Sequence, residues 1–101
     1  IATEAIRLNF PLIEAIAYND IGFILKERGE MFKALEYYHK SLKIHEKYKN
    51  LIGIALLLNN IGVMHHQMGD KTEGMKYYKK SIFNYFYFKN FICPFILSSQ
   101  I

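Results

Sequence analysis

Leu58–Asp70 reads LNNIGVMHHQMGD, and Tyr18–Glu30 reads YNDIGFILKERGE. Both carry Asn, then an Asn or acid, then Ile-Gly, then Gly followed by an acid, at the same spacing. The offset between them is about forty residues, a period that marks a structural repeat. Sliding the whole chain by that offset adds Ala15/Ala55, Tyr37/Tyr77, Tyr38/Tyr78, Lys40/Lys80, Ser41/Ser81, Lys49/Lys89 and Asn50/Asn90. With Asn19/Asn59, Ile21/Ile61, Gly22/Gly62 and Gly29/Gly69, that makes about eleven identities in forty pairs, far above chance for unrelated segments. Dispersed identity of this kind signals a duplicated fold unit rather than a copied motif.

Each unit reads as two helices. Leu12, Ile13, Ile16, Ala17, Ile21, Ile24 and Leu25 recur at steps of three and four, the spacing of one helix face. Pro11 suits the first helical position, where a missing N–H costs nothing. Gly29 stops the first helix by taking the left-handed C-terminal conformation. Ala34, Leu35, Tyr38, Leu42 and Ile44 then form the face of a second helix, and Asn50 caps the helix that follows. The second unit repeats this with Ile52, Ala55, Leu56 and Ile61, a stop at Gly69, and then Met75, Tyr78 and Ile82. A mid-helix glycine costs about 1 kcal/mol relative to alanine. Its recurrence at Gly22 and Gly62 therefore predicts close approach by the second helix of the same unit, at Ala34 and Gly74.

The expected organisation is a single all-α array: residues 1–9 end a preceding unit, 10–49 and 50–89 are full units, and 90–101 begin another. IATEAIRLN aligns with the end of a second helix, and FICPFILSSQI aligns with LIGIALLLNNI, with Pro94 delaying the new helix by about a turn. The chain thus reads as a stretch of a longer array.

Composition narrows the function classes. Hydrophobic residues make up 51% and charged residues 22%, as in folded water-exposed domains, and the net charge is only +4. A single cysteine, Cys93, rules out an internal disulfide framework and suits a reducing, cytoplasmic compartment; Cys93 itself reads as a small packing residue. The most apolar stretch, SIFNYFYFKNFICPFIL, is interrupted by Asn84, Lys89, Asn90 and Pro94, too broken for a membrane span of about 20 residues.

Tyr18, Ile21-Gly22, Leu25, Gly29, Ala34, Tyr38 and Ser41, matched by Leu58, Ile61-Gly62, His65, Gly69, Gly74, Tyr78 and Ser81, give the chain a pattern that resembles the tetratricopeptide repeat. The likeness spans two full units and two partial ones, and its period is similar to the longer-helix variety of that family. It departs from the usual pattern at Gly74, at His65 and in the missing proline near each unit's end. The resemblance implies a right-handed superhelix of helix pairs whose first helices line a concave groove for extended peptides or partner helices. In this chain that groove face carries Ile16, Asn19, Asp20, Phe23, Lys26 and Glu27, then Leu56, Asn59, Asn60, Val63, His66 and Gln67. Asparagine fits such a face because its amide both donates and accepts, and so binds a peptide backbone whatever the side chains. The competing role for the same asparagines is to bond the neighbouring unit and order the stack.

Other candidates have simpler readings. His65 and His66 point about 100° apart on a helix and cannot easily share an ion, and His39 and His45 are poorly spaced for a joint site. No metal or other cofactor is expected. One tyrosine of each Tyr37-Tyr38 and Tyr77-Tyr78 pair is expected inside the hairpin and the other at the seam between units. Lys33, Lys40, Lys43, Lys47, Lys76, Lys79 and Lys80 interleave with Glu30, Glu36, Glu46 and Glu73, the pattern of a solvated face rather than a nucleic-acid stripe. Ser41 and Ser81 occupy packing positions, and neither a phosphate-cradling loop nor a nucleophile with its base is recognisable. The chain reads as a non-catalytic interaction or scaffold module that takes a protein or peptide, with no nucleic acid and no membrane. The alternative is a sensory or dimerising region of a larger bacterial signalling protein: a histidine kinase, a cyclase or a peptide-responsive regulator. Open unit faces, with Phe83, Phe86, Phe88 and Phe91, favour self-association.

Overall fold

The computed structural model describes residues 2–92, with side chains from Phe10 onward. Four α-helices follow one another: α1 (Ala2–Glu27), α2 (Met31–Lys47), α3 (Leu51–Gln67) and α4 (Lys71–Tyr87), the last running on into a π-helical turn at Phe88–Ile92. The described residues contain no strand. Each helix packs chiefly on the next in sequence: α1 on α2, α2 on α3, and α3 on α4. The duplication is therefore also a structural one, with α2 and α4 starting and ending forty residues apart.

The chain reverses by the same device at both glycine stops. Gly29 (φ +83°) and Gly69 (φ +92°) take the left-handed conformation that lacks a Cβ penalty only in glycine. Gly29 N donates to the Lys26 carbonyl and Glu30 N to the Leu25 carbonyl, which satisfies the last carbonyls of α1. Gly69 and Asp70 do the same for His66 and His65. Asp70 then caps α4 by accepting from Glu73 N at 3.1 Å, and Asn50 caps α3 by accepting from Gly53 N at 3.4 Å. Glu30 caps nothing with its longer side chain and instead pairs with Lys33 and Arg28. The junction between units has no glycine. Lys49 takes the left-handed conformation (φ +53°), a strained choice for a residue with a Cβ.

The core lies across α2 and α3: Ala34, Tyr38, Leu42, Leu57, Leu58, Ile61 and Met64. Both mid-helix glycines sit where expected. A Cβ on Gly22 would stand 2.7 Å from the Tyr38 ring and 3.2 Å from the Ala34 carbonyl. One on Gly62 would stand 2.8 Å from Tyr78 and 3.1 Å from the Gly74 carbonyl. Gly74 has its own reason to be glycine, since a Cβ there would meet the Gly62 carbonyl at 2.9 Å.

The structure corrects several expectations. Pro11 is not at a helix start but inside α1. It deletes one backbone bond, yet Ala5, Arg7 and Leu8 before it are strong helix formers and the helix continues through the boundary expected after residue 9. The apolar stripe of α1 is only partly buried: Ile13, Ile16, Ile21 and Ile24 are exposed, because no described element packs on that side. Tyr37 rests on Tyr18 (centroids 5.9 Å apart) and Tyr77 stacks on His65 (5.2 Å), each within its own unit. Tyr38 belongs to the core cluster that α2 and α3 share, and Tyr77 packs against that cluster. Asn90, which matches Asn50, donates its amide to the Phe86 carbonyl at 2.9 Å, and the turn made at Tyr48–Asn50 has no counterpart at 88–90. The expectations for Cys93, Pro94 and the rest of the further unit fall outside the described residues.

Candidate partner-binding face

Among the described residues, the first helices of the two units, α1 and α3, share one side-chain hydrogen bond. Asn60 Nδ2 donates to Asn19 Oδ1 at 2.8 Å, between half-buried side chains. These are not equivalent positions: Asn60 matches Asp20, while Asn19 matches Asn59. The bond therefore steps from one position in the first unit to the next position in the second. The stacking role weighed for these asparagines is present, made by side chain to side chain rather than to backbone. One donor of Asn60 and one acceptor of Asn19 are committed to it.

A second contact lies one turn along α1. The Lys26 ammonium stands 4.8 Å from the Phe23 ring centroid and 3.8 Å from a Glu27 carboxylate oxygen. Phe23 is 51% exposed, a large aromatic surface held open by its neighbour rather than folded inward. Among the remaining candidates, Asp20, Asn59, His66 and Gln67 are exposed, and Lys26 and Val63 are half-buried. Exposed Ile16 and Leu56 occupy matching positions, so both units present an apolar side chain beside an asparagine. The face thus combines two aliphatic contacts, one aromatic, and polar groups of both kinds. It holds no cluster of three potential metal-ligating side chains among the described residues.

Two polar arrangements were missed at the level of sequence. Ser41 Oγ donates to the Ala15 carbonyl, and Ser81 Oγ to the Ala55 carbonyl, each at 2.6 Å. These hydroxyls tie each second helix to the first of its unit. Their recurrence at the forty-residue offset was the available signal. The second arrangement is the joint between units. His45 is 4% exposed, and its Nδ1 lies 3.1 Å from Asn50 Nδ2, while Asn50 Oδ1 takes Gly53 N. Because the amide nitrogen donates, the imidazole accepts, so His45 is neutral with its proton on Nε2. Burial pushes the His45 pKa below its ordinary value. His39 is lowered as well, by burial first and then by the His65 charge. Burial raises Tyr38, with the Glu27 charge reinforcing it. His65 is half-buried and stacks on Tyr77 of α4, and His66 is exposed.

Three lysines of the second helices are paired. Lys33, Lys40 and Lys76 each pair with a glutamate one turn away, at 3.4, 3.9 and 3.6 Å. Lys40 and Lys80 also lie over the rings of Tyr37 and Tyr77. No described helix is long and apolar enough to cross a membrane.

A family model described as Tetratricopeptide repeat matches residues 13–82. Comparison with curated proteins and with solved structures gives no match.

Proposed function

Because the chain belongs to the tetratricopeptide repeat family, whose repeats generally mediate protein–protein interaction and are typically non-catalytic, we propose that α1 and α3 form its partner-binding face. The occupant is an extended peptide or a partner segment lying across both helices. The observation that supports this most is the Asn19–Asn60 bond. It fixes the two helices in register and leaves an unused donor on Asn19 and an unused acceptor on Asn60, the two groups that a peptide backbone pairs with. Exposed Asn59 extends the same row, while Ile16, Phe23 and Leu56 supply apolar contact at its flanks. Asp20, Lys26, Val63, His66 and Gln67 surround that row and select among side chains. The forty-residue period supports reading the chain as the longer-helix variety of the family, and the single cysteine fits a cytoplasmic setting. The pairing of Lys33, Lys40 and Lys76 with glutamates favours a protein over a nucleic-acid partner.

The test is selection of random peptides against the full chain, followed by calorimetric titration of the selected peptide. Asn59→Ala and Phe23→Ala are expected to weaken binding about tenfold or more, the loss typical of a central contact. Unchanged affinity in both, with loss on substituting Lys43 and Lys79 instead, would move the site to the opposite side.

A further inference from the structure

We propose that the joint between the two units is a proton-sensitive hinge. One proton added to His45 releases the Asn50 cap and opens the first turn of α3, while both hairpins stay closed. The hinge does not rest on the partner-binding reading and uses none of the residues of that face.

Three groups in series make the joint. Asn50 Nδ2 donates to His45 Nδ1 at 3.1 Å, and Asn50 Oδ1 accepts from Gly53 N at 3.4 Å. One amide is thus divided, its donor end on α2 and its acceptor end on α3. The division holds only while Nδ1 is bare. A proton there turns an acceptor into a donor, set against an NH2 group that also donates. Turning the amide over would offer the imidazolium an oxygen, but it would also bring the NH2 group to Gly53 N and remove the cap. One asparagine cannot serve a protonated ring and α3 together.

The ring has no other way to carry a charge. It is 4% exposed, and a buried charge without a partner is strongly disfavoured. It cannot tilt towards α3, because it lies so close to Gly53 that a Cβ there would overlap it. Three elements surround it. On α3 the titratable groups are His65 and His66, at the far end of the helix. α2 and the turn after it bring Glu46, Lys47 and Lys49, all exposed, and half-buried Tyr48, over which Lys47 lies. α1 meets α2 here at Ala15, and the charge beside that residue is exposed Glu14. Among the described residues none of these charges moves the imidazole, and burial alone lowers its pKa.

The backbone of the joint favours opening once the cap is lost. Lys49 holds a left-handed conformation (φ +53°) that a residue with a Cβ takes only under constraint. Asn50 is the side-chain tie that follows it, so loss of the cap lets Lys49 relax and α3 unwind from its first residues. The hairpins are held by other means. Ser41 bonds Ala15, Ser81 bonds Ala55, and the chain reverses at Gly29 and Gly69, none of which titrates in this range. Tyr85 stands forty residues after His45, so the hinge belongs to this joint and not to the repeat.

Nuclear magnetic resonance of the full chain from about pH 8 to about pH 4 tests this. Imidazole nitrogen shifts follow His45, and amide exchange, corrected for its intrinsic pH dependence, follows the helices. The Gly53 and Ile54 amides both bond to Asn50, and Ala34 and Gly74 hold the positions of Ile54 in α2 and α4. Protection at Gly53 and Ile54 is expected to fall about tenfold or more along the His45 titration curve, while Ala34 and Gly74 keep theirs. Asn50→Asp supplies two acceptors, so its imidazole is expected to titrate about one unit higher or more with protection kept. His45→Gln is expected to abolish the acid response, and His39→Gln to leave it. Should a histidine variant not fold, the unsubstituted chain and Asn50→Asp still decide. An imidazole that stays neutral throughout, or a neutral ring with its proton on Nδ1, overturns the inference. So does a loss of protection that ignores the His45 curve, that follows His39, that Asn50→Asp shares, or that Ala34 and Gly74 show as well.

Discussion

Replacing Gly53 with alanine sets two effects of opposite sign against each other. Alanine in a helix is favoured over glycine by about 1 kcal/mol. Against this, the new Cβ would overlap the Nδ1, Cε1 and Cγ atoms of His45, the closest approach of any glycine in the described chain. That ring is not the free end of a flexible side chain. It is 4% exposed and bonded to Asn50, which also caps α3. Overpacking of a tight site costs about 1–3 kcal/mol, and moving the ring forfeits a hydrogen bond worth roughly 1 kcal/mol. Steric overlap wins, and Gly53→Ala is expected to destabilise the chain by about 1–3 kcal/mol net of the helix gain. The assay is urea unfolding followed by circular dichroism, comparing midpoints at constant slope. The decisive arm is the same substitution in a His45→Ala background. With the ring gone, Gly53→Ala is expected to be neutral or to stabilise by up to about 1 kcal/mol. Stabilisation by Gly53→Ala with His45 intact would refute the close approach and with it the packing of α2 on α3.

Three further outcomes follow from the same geometry. Ser41→Ala is expected to cost about 1 kcal/mol in the same unfolding assay, and Ser81→Ala less, since the first hydroxyl is buried and the second half-buried. A double-mutant cycle on Asn19→Ala and Asn60→Ala is expected to show a coupling of about 0.5–1.5 kcal/mol in the ligand-free chain; additive losses would show that the amide bond contributes nothing to stacking. Stability is expected to fall as pH drops below about 6.5, the ordinary imidazole value. The folded pKa values of His39 and His45 are depressed, so the unfolded chain takes up protons first and gains on the folded one until the folded imidazoles titrate. His45→Gln should flatten that dependence, as seen in unfolding midpoints across pH.

The duplication was legible because its signals are local and doubled. Gly29 and Gly69 announce turns, Gly22 and Gly62 announce close helix contact, and one copy checks the other. Helix periodicity alone was a poorer guide. The α1 stripe has the right spacing, yet Ile13, Ile21 and Ile24 stay exposed, because burial depends on what lies beside a helix and not on the helix's own pattern. Pro11 was misplaced for a related reason. It carries a boundary preference, but α1 continues through it among flanking residues of good helix propensity. Of the candidate face, the exposed positions could be read from register. The bond between Asn60 and Asn19 could not, because it links unlike positions and needs the actual offset of one unit on the next. The His45–Asn50–Gly53 joint is doubled only at Asn50, since its counterparts at 85, 90 and 93 are Tyr, Asn and Cys.

Packing of each helix chiefly on its sequence neighbour has a kinetic consequence. Contacts of short sequence separation close small loops, which places the chain among fast folders whose rate is set by one hairpin rather than by long-range search. It also makes protection uneven along the chain. The largest buried side chains gather where α2 meets α3, whereas Gly74 is the only fully buried position on α4. Amide exchange should therefore be slowest in the middle of the sequence and fastest along α4, with α4 opening while the α2–α3 centre stays closed.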